Sequence, residues 1–289
     1  MEDQARDGVT FFSIPKAFHG HTGIIQSNAI GSWTQLPGSE VILFGEEAGG
    51  SEVVRSGGVR FEPRIARNAQ GTPLVSDAFA KARTLARHPN LAFVNADIVL
   101  RPDLLEAVRV LSQARFSSWI MVGQRRDLDV RERLRFEVHW EQALADEVRA
   151  RGVLHGKSGI DFFVFPRCLP IELPPLAVGR VGWDNWLIFA VRQARIPLVD
   201  ATQAVCAVHQ NHPPTHDPVG TEADHNRASA GGYYRMGSLR DADWQLIRDR
   251  SGQWTVVPRL MGKLWFSPPF RAGSGLKRAL SRRLTGSRF

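Results

Sequence analysis

The chain has 289 residues and a formal net charge of +8, from 37 Lys and Arg against 29 Asp and Glu. Eight of the bases and none of the acids lie in residues 258–289, so the residues before that segment carry equal numbers of the two signs. A neutral body argues against a nucleic-acid-binding face. Two cysteines are too few for a disulfide framework, and no apolar run reaches the ~18–20 residues of a membrane span. The N-terminal residues also lack the pattern of a secretory signal, so we expect a cytoplasmic protein.

Short apolar strands alternate with helical segments along the chain. The predicted strands are 9–14, 40–44, 59–62, 91–100, 119–123, 160–166 and 197–207. The predicted helices are 23–36, 73–87 with Thr72 as its N-cap, 102–114, 134–151 and 183–194. This alternation predicts an α/β fold with a mostly parallel sheet flanked by crossover helices.

The composition indicates one globular domain with two appended segments. We expect an N-terminal arm at 1–8, a single domain at 9–257 and a basic tail at 258–289. Residues 208–235, rich in His, Asn, Pro and Gly, have the composition of an ordered functional loop or a flexible lid.

Polar residues follow several of the predicted strands, where open α/β sheets bind their ligands. In the run V-N-A-D-I, Asn95 and Asp97 are two positions apart, so on a strand both side chains would point to one side. An ionised carboxylate within an apolar segment is costly unless it is paired or binds a metal. The two residues are therefore either a cation and nucleotide site or an edge pair that caps a neighbouring loop.

Several longer phrases carry a family resemblance. They are FFSIPKAFHGHTGIIQSNAIGSW, PLVSDAF followed by NADI, GRVGWDNWL and VHQNH. Over residues 9–232 the chain resembles a bacterial group of GT-A-type glycosyltransferase-like proteins, related to family 2 glycosyltransferases. The resemblance implies a GT-A-like fold of the nucleotide-diphospho-sugar transferase type. It also implies metal-assisted, inverting transfer of a sugar from a nucleotide-sugar donor to a glycan, a lipid-linked or another hydroxyl acceptor, as in polysaccharide biosynthesis.

The resemblance also implies a cation site at the D-x-D position. Asp97 would bind Mn²⁺ or Mg²⁺ with a C-terminal histidine, His209 first and His212 second, to stabilise the leaving diphosphate. For each histidine the alternative is a loop hydrogen bond. One departure stands out: Asn95 occupies the position of the first aspartate, and an amide oxygen brings no charge to a cation.

By the same resemblance, Asp184 is the expected catalytic base for the acceptor hydroxyl. An aspartate at the start of a helix is equally typical of an N-cap. Trp183 and Trp186 flank it and are expected to stack on the acceptor sugar. Their spacing of three residues on a helix is equally typical of core positions.

Donor contacts are expected at the first two strand ends. Ser13, Ile14 and Pro15 would shape the base pocket, and Glu46 or Glu47 would contact the nucleoside, unless the two glutamates form a solvated loop pair. Lys16 or Arg180 would pair with phosphate, a contact for which the guanidinium is well suited. The mixed run 125–129 (RRDLD) offers phosphate and acceptor contacts, but such runs are more typical of solvated loops.

Two other functions compete with sugar transfer. A nucleotidyltransferase requires a Gly-rich basic loop after the first strand, which SIPKAFHGHTG matches poorly. A non-catalytic nucleotide-sugar-binding or scaffolding protein is favoured by Asn95. An oxidoreductase is disfavoured, because no G-x-G-x-x-G follows the first strand.

The basic tail places Leu276, Leu280 and Leu284 at four-residue steps, with Arg and Lys beside them. Such a basic amphipathic segment binds anionic membrane surfaces. The tail is therefore either a peripheral contact with the inner membrane, where lipid-linked acceptors would lie, or a solvated extension.

Overall fold

The computed structural model describes residues 8–47, 49, 58–157, 159–180, 182–213, 221–231 and 236–259. The predicted N-terminal arm, except for residue 8, and the tail from residue 260 onward lie outside these residues. No helix in the described part of the chain is both long and apolar enough to cross a membrane.

Thirteen strands and six α-helices make up the described fold. The strands are β1 (Val9–Ser13), β2 (Ser39–Phe44), β3 (Val59–Glu62), β4 (Asn90–Val94), β5 (Ile98–Val99), β6 (Ile120–Val122), β7 (Arg125–Leu128), β8 (Val153–Leu154), β9 (Phe162–Pro166), β10 (Leu198–Asp200), β11 (Ala207–Gln210), β12 (Trp244–Arg248) and β13 (Trp254–Pro258). The helices are α1 (Gly20–Thr34), α2 (Val75–Leu85), α3 (Asp103–Gln113), α4 (Trp140–Arg151), α5 (Trp183–Gln193) and α6 (Thr221–Ser229), with a 3₁₀ turn at Leu239–Asp241.

Nine strands form the main sheet, in the order β13-β12-β10-β6-β9-β4-β1-β2-β3. Neighbours pair in parallel except around β9 and at the β12–β13 hairpin. Helices α2 and α5 pack on one face, and α1 and α3 pack on the other. Both faces of the central strands are therefore buried, which explains why β1, β2 and β4 are mostly apolar. The predicted α/β class with a mostly parallel sheet is confirmed.

A second sheet of four strands, in the order β5-β11-β7-β8, lies beside the main one. Its strands β7 and β11 run parallel, while β5 and β8 are antiparallel to their neighbours. Its small core includes Leu144 and Val148 of α4, which pack with Val99, Leu128 and Val208. This sheet was not predicted, and it carries most of the polar site.

Two predicted strands each divide between the sheets. The run 91–100 is not one strand, because the Asn95 carbonyl accepts the Ile98 N–H (3.0 Å) in a tight turn and the chain then joins the second sheet as β5. Asn95 and Asp97 therefore lie in that turn, and the prediction that they share one side of a strand is wrong. The run 197–207 divides in the same way, where Asp200 Oδ1 accepts from the Thr202 amide (3.0 Å) and hydroxyl (2.6 Å).

Three further local predictions are corrected. Thr72 does not cap α2, because the chain there forms β-bridges at Pro73 and Leu74 and the helix begins at Val75. Helix α4 begins at Trp140, six residues later than predicted, after His139 takes a positive φ of 68°. The run 125–129 is mostly strand β7, since it pairs with β11 and β8.

Candidate functional site

The strand register brings the site's side chains together. In the second sheet, His209 of β11 is level with Ile98 of β5 on one side and with Asp127 of β7 on the other. Asp97 directly precedes β5, so its carboxylate and the ring of His209 meet at one edge of the sheet. His212 lies three residues beyond His209 and reaches the same point.

Asp97, His209 and His212 form a compact cluster of ligand-type atoms, all within 4.8 Å of one another. Asp97 Oδ2 lies 3.1 Å from His212 Nε2 and 3.8 Å from His209 Nε2. The three side chains are only 11–22% exposed. The structure thus brings together the three residues that the sequence predicted as cation ligands.

The chemistry of the cluster fits a divalent cation. Asp97 Oδ1 is buried and has no hydrogen-bond partner among the described residues. His212 Nδ1 lies 2.8 Å from the Pro213 carbonyl, which can only accept, so Nδ1 carries the proton and Nε2 faces Asp97. His209 Nδ1 lies 3.2 Å from Asp127 Oδ1, an ion-pair distance, but makes no hydrogen bond among the described residues. A backbone carbonyl or carboxylate bonded behind the ring is the usual support of a metal-binding histidine; His212 has that support here, and His209 has a carboxylate close by.

The charges in the cluster are mutually dependent. Burial acts to raise the pKa of Asp97, but the His212 hydrogen bond and the nearby His209 outweigh it, so the pKa is lowered. The hydrogen bond to Asp97 raises the pKa of His212, and burial lowers the pKa of His209. Asp97 is therefore held as a carboxylate, the form that binds cations.

Buried amides fix the turn that carries Asp97. Gln210 is fully buried and donates its side-chain amide to the backbone carbonyls of Asp97 (3.1 Å) and Ile25 (2.8 Å). Its own oxygen accepts from Asn28 Nδ2 of α1 (2.9 Å). Helix α1 and β11 thus hold the Asp97 turn from both sides.

A second polar chain continues from the cluster towards β9. Arg125 donates to Asp127 Oδ1 and to Asp161 Oδ2, both at 2.9 Å, and Asn95 Nδ2 donates to Asp161 Oδ1 at 2.7 Å. His155 Nδ1 lies 2.7 Å from Asp127 Oδ2. Sequence reasoning missed Asp161 and His155, and it placed Arg125 and Asp127 in a mixed run that either contacts phosphate and acceptor or forms a solvated loop. The sequence feature that could have indicated Asp161 is its position as a charged residue directly before the apolar strand FFVFP.

Asp184 lies in the first turn of α5, where Gly182 (φ 102°) is the N-cap. This excludes the N-cap interpretation of Asp184. Burial raises the pKa of Asp184 to about 7; the backbone N–H of Asn185 opposes this, and the charge of Asp161 adds to it. A carboxyl group with a pKa near neutrality both takes and returns protons at physiological pH.

The two tryptophans beside Asp184 occupy different environments. Trp183 is 5% exposed, and its ring lies 4.9 Å from Phe93 and 5.2 Å from Phe163. The structure therefore places Trp183 in the core, the alternative to the predicted contact with an acceptor sugar. Trp186 is partly buried and packs at the margin of the same core.

The predicted base-pocket residues end β1 and are largely buried. Ser13 Oγ donates to the Val94 carbonyl (2.6 Å), so its hydroxyl joins β1 to β4. Ile14 is 8% exposed and belongs to the core. Pro15 is also buried, so these three residues contribute shape and backbone to the site's floor more than free polar groups.

The predicted charged donor contacts differ in exposure and in their neighbours. Gln26 accepts from the Lys16 amide (2.7 Å) and donates to its carbonyl (2.9 Å), which fixes the loop after β1. Lys16 is exposed as a residue, yet desolvation of its ammonium group lowers its pKa; the charge of Arg180 adds to this and Asp97 opposes it. Lys16 is thus electrostatically coupled to Asp97 of the cluster, and Arg180 is coupled to Lys16. Glu46 is exposed, and Glu47 pairs with Arg67 (3.3 Å).

No protein-family model matches the sequence, and no curated protein matches it. Among solved structures, glucosyl-3-phosphoglycerate synthase from Mycobacterium tuberculosis with Mg²⁺ and UDP is similar at a TM-score of 0.50 and 16% identity, over 89% of each chain. The same enzyme with Mn²⁺, UDP and phosphoglyceric acid gives a TM-score of 0.49 and 16% identity, over 91% of this chain and 93% of that one. A mannosyltransferase from Pyrobaculum calidifontis with GDP-Man and Mn²⁺ gives 0.44 and 15%, over 72% and 58%.

At sequence identities this low, similarity to solved structures establishes the fold alone. The chain has the architecture of the GT-A glycosyltransferases, which confirms the fold expected from the sequence. The chemistry of the site depends on its own residues, because one fold carries many functions.

Proposed function

We propose that this protein is a glycosyltransferase, which moves a hexose from a nucleoside-diphosphate sugar to a hydroxyl acceptor. The observation that carries the proposal is the cluster of Asp97, His209 and His212, within 4.8 Å at the strand ends of a GT-A fold. The similar glucosyl-3-phosphoglycerate synthase structure supports it, because it was determined with UDP and Mg²⁺.

Asp97, His209 and His212 would hold a divalent cation, Mn²⁺ or Mg²⁺. When bound, the cation supplies Lewis-acid stabilisation of the charge that grows on the leaving diphosphate. Lys16, whose charge acts with that of Asp97, and Arg180, whose charge acts on Lys16, would pair with the phosphate oxygens. The loop after β1, with Ser13, Ile14 and Pro15, and the glutamates after β2 would line the nucleoside.

Asp184 is the proposed base. Its carboxylate takes the proton of the attacking acceptor hydroxyl, and its pKa of about 7 suits that exchange. Direct attack by the acceptor on the anomeric carbon gives inversion. Trp186, at the margin of the core beside Asp184, would offer part of its ring face to the acceptor sugar. The acceptor is a glycan or a lipid-linked precursor in this proposal.

Donor binding tests the proposal. Thermal unfolding and titration calorimetry with UDP- and GDP-sugars, with and without Mn²⁺, should reveal metal-dependent binding that is lost in Asp97→Ala and His212→Ala. Asp184→Asn should bind as the wild type does. Asp146→Ala removes an exposed carboxylate of α4 and is the matched control, with unchanged binding. Binding that needs no metal and survives Asp97→Ala would overturn the assignment.

We further propose that the basic tail contacts an anionic membrane surface and so brings the protein to the inner membrane. The support is its sequence: residues 258–289 hold eight bases, no acids and three leucines at four-residue steps, and seven of those bases lie beyond Arg259, which pairs with Asp200 (3.0 Å). Near such a surface each basic residue contributes about 1 kcal/mol. Flotation with phosphatidylglycerol liposomes should recover the full chain and not a chain without residues 260–289. Equal recovery of both would refute the proposal.

A further inference from the structure

Asp161 lies at the centre of the polar chain beside the cluster. It directly precedes β9 and is 7% exposed. Oδ1 accepts from Asn95 Nδ2 (2.7 Å) and Oδ2 accepts from Arg125 Nη1 (2.9 Å). Both carboxylate oxygens are thus engaged by side-chain donors, and one of those donors is cationic.

The hydrogen bonds make residues 95 and 161 chemically complementary. An amide nitrogen and a guanidinium can only donate, so the group between them has to offer two acceptors. Aspartate at position 95 would put two carboxylates 2.7 Å apart, where both cannot be ionised. Asparagine at position 161 would turn an N–H₂ group towards either Asn95 or Arg125. With Asn95 donating as it does here, the carboxylate at position 161 accepts from both neighbours, which an amide there could match only if the Asn95 amide turned over.

Asp161 connects to both sides of the cluster. On one side the Asn95 N–H donates to the Asp161 carbonyl (2.9 Å), and the Asn95 carbonyl closes the turn that presents Asp97. On the other side Arg125 bridges Asp161 to Asp127, whose Oδ1 lies at ion-pair distance from His209 Nδ1 (3.2 Å), without a hydrogen bond between them. The charge of Asp161 also acts on the neighbouring Asp184.

We propose that Asp161 is a positioning residue of the transfer site: its carboxylate holds the Asn95 amide and the Arg125 guanidinium, and through them sets Asp97 and His209. The negative charge that an aspartate at position 95 would bring is supplied from residue 161. This inference rests on the proposed function, because the cluster so positioned is the proposed donor site.

Exchanging the two residues tests the inference. The proteins are the wild type, Asn95→Asp, Asp161→Asn and the double variant that carries both changes. In the double variant the amide oxygen at position 161 accepts from Arg125 and the amide nitrogen donates to the carboxylate at position 95, so the pattern is restored in reverse. Asp243→Asn is the control, since it neutralises a similarly buried carboxylate paired with Arg192, at the start of β10 and β12 on the opposite edge of the sheet.

Two readouts are needed. The first is the unfolding temperature without ligands, and the second is its increase on adding Mn²⁺ with an equimolar mixture of UDP and GDP. We expect both single variants to lose most of the ligand-induced increase and the double variant to regain most of it. Asp243→Asn should unfold at a lower temperature and keep the full increase.

A full ligand-induced increase in Asp161→Asn, or a double variant no better than the poorer single one, would overturn the inference. A wild-type protein that shows no increase would instead refute the proposed function, and with it the role of Asp161 in a donor site. The ligand-free unfolding temperatures would then still report whether residues 95 and 161 are coupled, which separates the two failures.

Discussion

Replacing Asp184 by asparagine should make the protein more stable, and more so at higher pH. Burial raises the pKa of this carboxyl to about 7 in the folded chain, against an ordinary value of 3.8. Below pH 3.8 the group is protonated whether the chain is folded or not, so it has no effect. As the pH rises through that range, only the unfolded chain releases the proton, and the free energy of unfolding falls by about 1.36 kcal/mol per pH unit.

The total loss is on the order of 4 kcal/mol above pH 7, where the folded carboxyl has to ionise as well. Asparagine has the same shape, still accepts the backbone N–H bonds of the helix start, and removes this loss. The free energy of unfolding of Asp184→Asn should therefore exceed that of the wild type by about 2 kcal/mol at pH 5 and by about 4 kcal/mol at pH 8.5. For a chain of this size, 4 kcal/mol corresponds to an increase of about 8 °C in Tm.

Urea and thermal unfolding of both proteins in EDTA, from pH 5 to 8.5, measure the difference. Asp103→Asn is the control: burial raises the pKa of Asp103 to about 6, partly offset by Arg101, so it should also gain stability with pH. Only Asp184→Asn should lose transfer. A stability difference for Asp184→Asn that is the same at pH 5 and pH 8.5 would refute the reasoning.

Five other substitutions, in two pairs and one single change, test individual contacts of the structure. Trp183→Ala should lower the free energy of unfolding by about 3–5 kcal/mol, because it leaves a cavity in the core. Trp186→Ala should mainly raise the KM for the acceptor. Equal losses of stability in the two variants would contradict this difference. Gly31→Ala should lower the free energy of unfolding in urea by about 1–3 kcal/mol, because its methyl group would overlap the ring of Phe136. Gly156→Ala is the control: its methyl group would meet nothing within 4 Å, so the free energy of unfolding should not change. Gln210→Ala should weaken Mn²⁺ binding measured by calorimetry, because it frees the turn that carries Asp97, and unchanged affinity would show that the amide is not needed there.

Much of the fold follows from local pattern. The central parallel strands are buried on both faces, so their sequences are mostly apolar runs that are visible without any structure. The second sheet is different, because its membership is decided by distant partners. Val99 pairs with Val208, more than a hundred residues away, and no local signal marks where the run 91–100 leaves the main sheet. The chain leaves the main sheet at a turn closed by the hydrogen bond from the Ile98 N–H to the Asn95 carbonyl.

The site residues also fall into two groups: those that the sequence alone identifies and those whose role depends on distant partners. Asp97, His209, His212 and Asp184 are polar residues in distinctive phrases, so they could be singled out before the structure. Asp161 and Asp127 could not be assigned roles, because each acquires one only from neighbours that the sheets bring to it. Trp183 shows the converse: a residue in a distinctive phrase whose burial, against Phe93 and Phe163, is a property of packing.

The most direct test of the account is turnover. Release of UDP or GDP from a panel of nucleotide sugars, measured with a mixed pool of glycan and lipid-linked acceptors and with Mn²⁺, follows the proposed reaction itself. The account predicts release in the wild type that chelation with EDTA abolishes, that Asp97→Ala and Asp184→Asn lose, and that Asp146→Ala keeps. Release that is equally fast in EDTA and in Asp97→Ala would contradict it.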